Sequence, residues 1–282
     1  MSKYLDNTFS GERSLFSLKD SVIDNCVFKD GESPLKESRN LKIYRCTFQW
    51  KYPIWYADNI EVFNSTLLYT ARSGIWYTKN ISIRNSQILA PKTFRYAENI
   101  TLDNTQLVHA DETLWNCKSI RLNQVKARGD YLGFHSENVD ADHLYLEGNY
   151  AFDSAKNITI KNSTLFSKDS FWNCENVMVV NSTIIGEYIG WNSKNVTFIN
   201  CTIESHQGFC YMEKVILINC KVINSDLTFE YSNDIDAEII NVVDSIKNPY
   251  SGTIRVKDVK ELIMDDKFIE PSETKIIIDK NE

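Results

Sequence analysis

Glycine and proline are scarce in this chain: its 282 residues hold ten Gly and five Pro. That excludes collagen-like and low-complexity architectures, and it means tight turns must be made by other residues. Positive charge is also short, with 31 Lys and Arg against 38 Asp and Glu. A net charge of −7 leaves no electrostatic footprint for nucleic acid. No run approaches the ~18 apolar residues of a membrane span. The opening "MSKYLDNTFSGERSLFSL" has no apolar core of signal-peptide length. The expected location is therefore cytoplasmic, with no membrane partner. Seven Cys, an odd number at spacings that match no zinc pattern, read as buried thiols. No metal and no cofactor are expected.

What is present is a repeat. Asn-Ile and Asn-Val steps, or their equivalents, recur at Asp20, Asn40, Asn59, Asn80, Asn99, Ser119, Asn138, Asn157, Asn176, Asn195, Lys214 and Asp234. The spacing stays between 19 and 21 residues, so these twelve anchors define a solenoid. Apolar residues stand one and three places after most anchors, as in Ile158 and Ile160 or Val196 and Phe198. That alternation predicts strands, and a unit of this length cannot hold two ordinary helices. Short strands and corners at this period predict an all-β, parallel β-helix of about twelve coils. Asn at the anchor and again five places later, as in Asn157 and Asn162, predicts amide ladders that turn the corners. Small residues two before the anchor (Ala57, Ala97, Cys117, Ser136, Cys174) predict tight inward bends. One domain over 1–282 is expected, with coils at 15–244 between an N-terminal cap at 1–14 and a C-terminal cap and tail at 245–282.

At this point the sequence resembles the pectin-lyase-like right-handed β-helix superfold. The segments "GERSLFSLKDSVIDNCVF", "GESPLKESRNL", "YPIWYADNI" and "SGIWYTKNI" are similar to a family of uncharacterised bacterial proteins of about this length, known only as a domain of unknown function. The superfold implied by that resemblance hosts pectate lyases and polygalacturonases, but also non-enzymatic proteins. A paired Asp-Asp with a following Gly-His-Gly is missing, as are the Asp cluster and Arg pair of pectate lyases. Neither activity carries over.

One column exceeds what folding needs. Four places before the anchors stand Lys36, Trp55, Trp76, Arg95, Trp115, Phe134, Asp153, Trp172, Trp191 and Glu230, a set with five of the six Trp. Its charged members predict that it faces outward. The next column adds Tyr56, Tyr77, Tyr96, Asn116, His135, Asn173 and Asn192. Three roles fit: a stacked ladder partly covered by other segments, a contact surface for a second copy or a partner, and a platform on which sugar rings stack. The expectation drawn is carbohydrate binding or modification along this column, through Trp55, Trp76, Arg95, Trp115, Asn116, Phe134, Trp172, Asn173 and Trp191. The alternative is a non-catalytic scaffold that self-associates there. For catalysis the candidates are Asp111 and Asp130, eight before adjacent anchors, with His135 and Asp153 as a second acid–base pair. Glu12 and Glu32 repeat the first arrangement near the N-terminus, with Arg72 further along the same column. Acidic residues at turn tips are also ordinary solvated charges.

Overall fold

A computed structural model describes residues 2–279. The fold is all-β, a parallel β-solenoid of about fifteen turns, not twelve. The chain forms two compact units, Met1–Glu147 and Gly148–Glu282. The first has eight long strands, from Ser2–Leu5 to Glu137–Asp142, and the second has seven, from Lys156–Lys161 to Thr274–Ile278. The three uncounted turns carry no Asn anchor. Ser2–Leu5 pairs in parallel with Lys19–Asp24, Gly252–Ile263 with Asn233–Lys247, and Thr274–Ile278 with Gly252–Ile263.

A turn of the first unit shows how the sequence makes the coil. Lys79–Arg84 is a six-residue strand that sets Ile81 on Ile60 below and on Ile100 above. Ile81 and Ile83 point into the core, while Ser82 and Arg84 point out. A corner follows, then the short strand Gln87–Ile88 with Ile88 buried. The third side carries the aromatic column, where Ile75–Trp76 and Phe94–Arg95 pair in a two-stranded ladder.

The corners explain the glycine shortage. Asn80, Asn85, Lys92 and Tyr96 all take left-handed backbone, with φ between 50° and 54°. Asn tolerates that region better than other residues with a side chain. Stacked amides then join the coils. Asn59 Nδ2 donates to Asn40 Oδ1 at 3.0 Å, Asn99 to Asn80 at 2.8 Å, and Asn195 to Asn176 at 2.8 Å. The second ladder runs from Asn104 to Asn85 at 2.8 Å and from Asn219 to Asn200 at 2.8 Å. Inside most second-ladder corners a Ser, Thr or Cys is buried, with Val125 and Leu144 at that place after Gln124 and His143. Ser65 Oγ donates to the Phe63 carbonyl at 2.8 Å and accepts the Cys46 N–H at 3.0 Å. All seven thiols are free and buried.

A third column, just before the anchors, alternates in charge. Lys79–Glu98 and Lys118–Glu137 pair at 3.2 and 3.6 Å in the first unit, and Lys156–Glu175 and Lys194–Glu213, both at 2.9 Å, in the second.

Candidate functional site

In the first unit the aromatic column is a continuous stack. Trp55 and Trp76 lie 5.2 Å apart and 8° from parallel. The Arg95 guanidinium is sandwiched between Trp76 and Trp115, 5.2 and 4.9 Å from their centroids. Trp115 then meets Phe134 at 4.2 Å, and Phe134 stacks on His135 at 4.3 Å. Beside it Tyr56, Tyr77 and Tyr96 stack at 4.8 and 5.3 Å. In-register coils fix this arrangement, because ring spacing must match strand spacing.

Two sequence-based inferences need correction. The column is half-buried, and two of its four charges, Arg95 and Glu230, sit in ion pairs, so they do not mark an open face. Arg95 keeps only 18% of its side chain exposed and pairs with Glu112. Glu230 is buried and pairs with Lys247 at 2.9 Å. Burial pushes the Glu112 carboxyl up, but Lys92 and Arg95 outweigh it and hold it below the ordinary range. The second correction concerns the rings of the first unit, whose flat faces cover one another and leave edges to solvent. Trp55 and Trp76 also commit their indole N–H groups to the carbonyls of Ser73 and Lys92, at 2.6 and 2.9 Å. Among the described residues, Trp115, Trp172 and Trp191 make no such bond.

The neighbouring polar column has a conformational origin. Asn116, His135, Asn173 and Asn192 all sit at positive φ, between 52° and 57°. Asn192 Nδ2 donates to Asn173 Oδ1 at 2.8 Å, and Asn173 to Asp153 Oδ1 at 3.4 Å. Asp153 also accepts from Ser154 Oγ at 2.7 Å. Asp111 and Asp130 stand on adjacent coils as expected, where Asp111 Oδ1 accepts the Asp130 backbone N–H at 3.3 Å.

The second unit departs from the ladder. Trp172 and Trp191 occupy consecutive coils, yet no ring contact joins them. Trp172 instead meets Tyr150 at 6.4 Å, and Trp191 meets Tyr211 at 4.8 Å. Tyr188 packs edge-on against both Trp191 and His206, at 5.6 and 5.8 Å. Past His206 the bend opens into a groove of about 420 Å³. Its floor is made by small residues, Ser167 and Gly186. A Cβ on Gly186 would stand 2.0 Å from the Ser167 carbonyl oxygen, so the coils close here only with glycine. Phe166 and Ile185 form one wall. Lys168, Glu187, His206 and Asn224 also line the groove, and Glu204 follows Ile185 in the strand register. Lys168 Nζ pairs with Glu187 at 2.9 Å, His206 Nδ1 with Asp226 Oδ1 at 2.5 Å, and Asn224 Nδ2 donates to Glu204 at 2.9 Å. Burial, with the carboxylates of Glu187 and Asp153, pushes Asp169 up.

Sequence reasoning missed this groove, although the signal was present. Lys168, Glu187, His206 and Asp226 fall eight places before successive anchors, the same column as Asp111 and Asp130.

Comparison with known proteins adds no chemistry. No curated relative matches the chain. Among solved structures it is similar to PfbA, a surface adhesin of Streptococcus pneumoniae, at 10% identity and TM-score 0.41, over 79% of this chain and 70% of that one. It is also similar to HetL, a pentapeptide repeat protein involved in heterocyst differentiation regulation in the cyanobacterium Nostoc, at 9% and 0.34, over 78% and 92%. A third is the catalytic domain of a GH87 α-1,3-glucanase in complex with nigerose, at 10% and 0.31, over 98% and 63%. None of these likenesses bears on activity. The family profile described as "Protein of unknown function (DUF3737)" matches residues 2–277, and the chain belongs to that family.

Proposed function

We propose that this protein binds a carbohydrate, and that the groove of the second unit receives it. The observation that carries this reading is the groove's mixed lining. Phe166, 39% exposed, and Ile185 offer an apolar wall. His206, Glu187, Glu204 and Asn224 offer donors and acceptors around it. A sugar ring has the matching character, one apolar face and a rim of hydroxyls, and concave sites with few polar groups on apolar walls suit such ligands. The acidic groups are already engaged, Glu187 by Lys168, Asp226 by His206 and Glu204 by Asn224. That favours recognition over proton transfer. The test is titration calorimetry with a panel of neutral and acidic oligosaccharides. Phe166→Ala and Glu204→Gln should each weaken binding at least about tenfold, roughly 1.4 kcal/mol, with the melting temperature unchanged. A panel without one binder for the wild-type chain sinks the reading.

A second reading is self-association through the first unit's aromatic column, without catalysis. Its support is composition: Tyr56, Tyr77 and Tyr96 present exposed edges beside Trp and Arg, the types enriched at protein contacts. Under it, Tyr77→Ala lowers the sedimentation coefficient while leaving the groove's sugar binding intact.

A further inference from the structure

The outer face of the long strands changes character along the chain. In the first unit its outward positions include Lys42, Glu61, Arg84, Arg121 and Asp140. In the second unit, Glu175–Val180, Lys194–Ile199 and Glu213–Ile223 turn Met178, Val180, Ile199, Ile216 and Ile218 outward. Met178 and Ile218 are each 44% exposed. The core does not use these side chains, because Val177, Val179, Val196, Phe198, Val215 and Leu217 already fill the inward positions. A contiguous apolar sheet face of this kind marks a contact surface.

The flanking charges identify the occupant. Along one side of the face runs Lys156, Glu175, Lys194, Glu213, with paired neighbours at 2.9 Å. Read in reverse, this order is its own complement. We propose that the face packs against the same face of a second copy, about a two-fold axis lying along the strands between the coils of Glu175 and Lys194. Such an axis reverses coil order. Lys156 then meets the second copy's Glu213, and Glu175 its Lys194. Met178 and Val180 meet Thr197 and Ile199 of the other copy. An axis shifted by half a coil, onto the coil of Lys194, would set Lys194 against itself and Glu175 against Glu213, so the charges require an axis that runs between coils. Four strands at ~4.8 Å spacing and six residues at ~3.3 Å each cover roughly 400 Å² per copy. That is about half of an ordinary interface side, so the dimer is a weak one that forms at high protein concentration. The inference is independent of the carbohydrate reading.

Sedimentation equilibrium across a concentration series tests it. The wild-type chain should approach twice its monomer mass at high concentration, and Met178→Asp, next to the axis, should raise the dissociation constant at least tenfold. Lys194→Glu alone and Glu175→Lys alone should each be monomeric, since each sets like charges across the axis. Mixed in equal amounts they should form a heterodimer, because both contacts then join opposite charges. Both substitutions lie on exposed pairs, so folding is retained and circular dichroism confirms it. Tyr77→Ala should leave this dimer unchanged. A wild-type chain still monomeric at about 200 µM overturns the proposal. So does a dimer indifferent to Met178→Asp, or a mixture that stays monomeric.

Discussion

Asn162 stands at φ 50° with its amide on the surface, which revises the reason for its presence. Read from sequence alone, its role is that of a rung in an amide ladder. The structure turns the neighbouring Ser163 inward and leaves Asn162 exposed on the corner. Asn162→Ala should therefore cost about 1–2 kcal/mol through left-handed strain. Asn162→Gly, which relieves that strain, should cost clearly less in a denaturant titration. Equal losses would transfer the credit to the amide ladder. The thiols behave as the sequence suggests. Burial pushes Cys46, Cys117 and Cys210 up to about 12, and drives Cys174 higher still. At pH 8 the native chain should therefore be nearly inert to a thiol reagent at these positions, and all seven Cys should react after denaturation. A count below seven under non-reducing denaturation would reveal a disulfide.

Between neighbouring coils, the Arg95–Glu112 pair shows what a half-buried ladder does with charge. Arg95 Nε is buried without a partner, so the guanidinium is held by the Trp faces and by Glu112. With the Glu112 pKa depressed, the pair's contribution is present above the unfolded pKa of Glu and is lost as pH falls through the lower folded value. Melting temperatures of the wild type and Glu112→Gln should thus differ at pH 7 and converge in acid, below pH ~4. A gap that stays constant with pH would assign the difference to shape alone. The strands themselves were legible, because Ile158, Val177 and Val196 fall one place after their anchors and two-residue alternation admits no helix. The orientation of the rings was not legible. Trp55 and Trp172 share one place in the repeat, yet one stacks on a ring of the next coil and the other does not. What decides this is side-chain rotamer and the size of neighbours, which period does not encode.

For the whole chain, period was enough to assign the solenoid and too little to find its ends or its site. Ser2, Gly252 and Thr274 stack where anchor-following residues belong, but without Asn they left no mark in the pattern. The groove was missed because its residues differ from coil to coil, and a repeat search keeps only what is alike. Each coil touches its neighbours alone, so damage should remain local. Ile81→Ala, at a fully buried site, should cost about 2–5 kcal/mol. Hydrogen exchange should quicken most in Asp58–Phe63, Lys79–Arg84 and Glu98–Asp103, and fade over the further coils of the first unit; uniform acceleration would contradict this. The column before the anchors adds a rule of parity. Lys79, Glu98, Lys118, Glu137, Lys156, Glu175, Lys194 and Glu213 alternate in sign, so the electrostatic unit is two coils where the backbone unit is one. Inserting or deleting a single coil would leave two like charges stacked, whereas a change of two coils would not. Nearer the N-terminus Lys19 already stacks on Arg39, so the rule belongs to the stretch from Lys79 to Glu213; there, engineered variants of odd and even coil number should differ in stability.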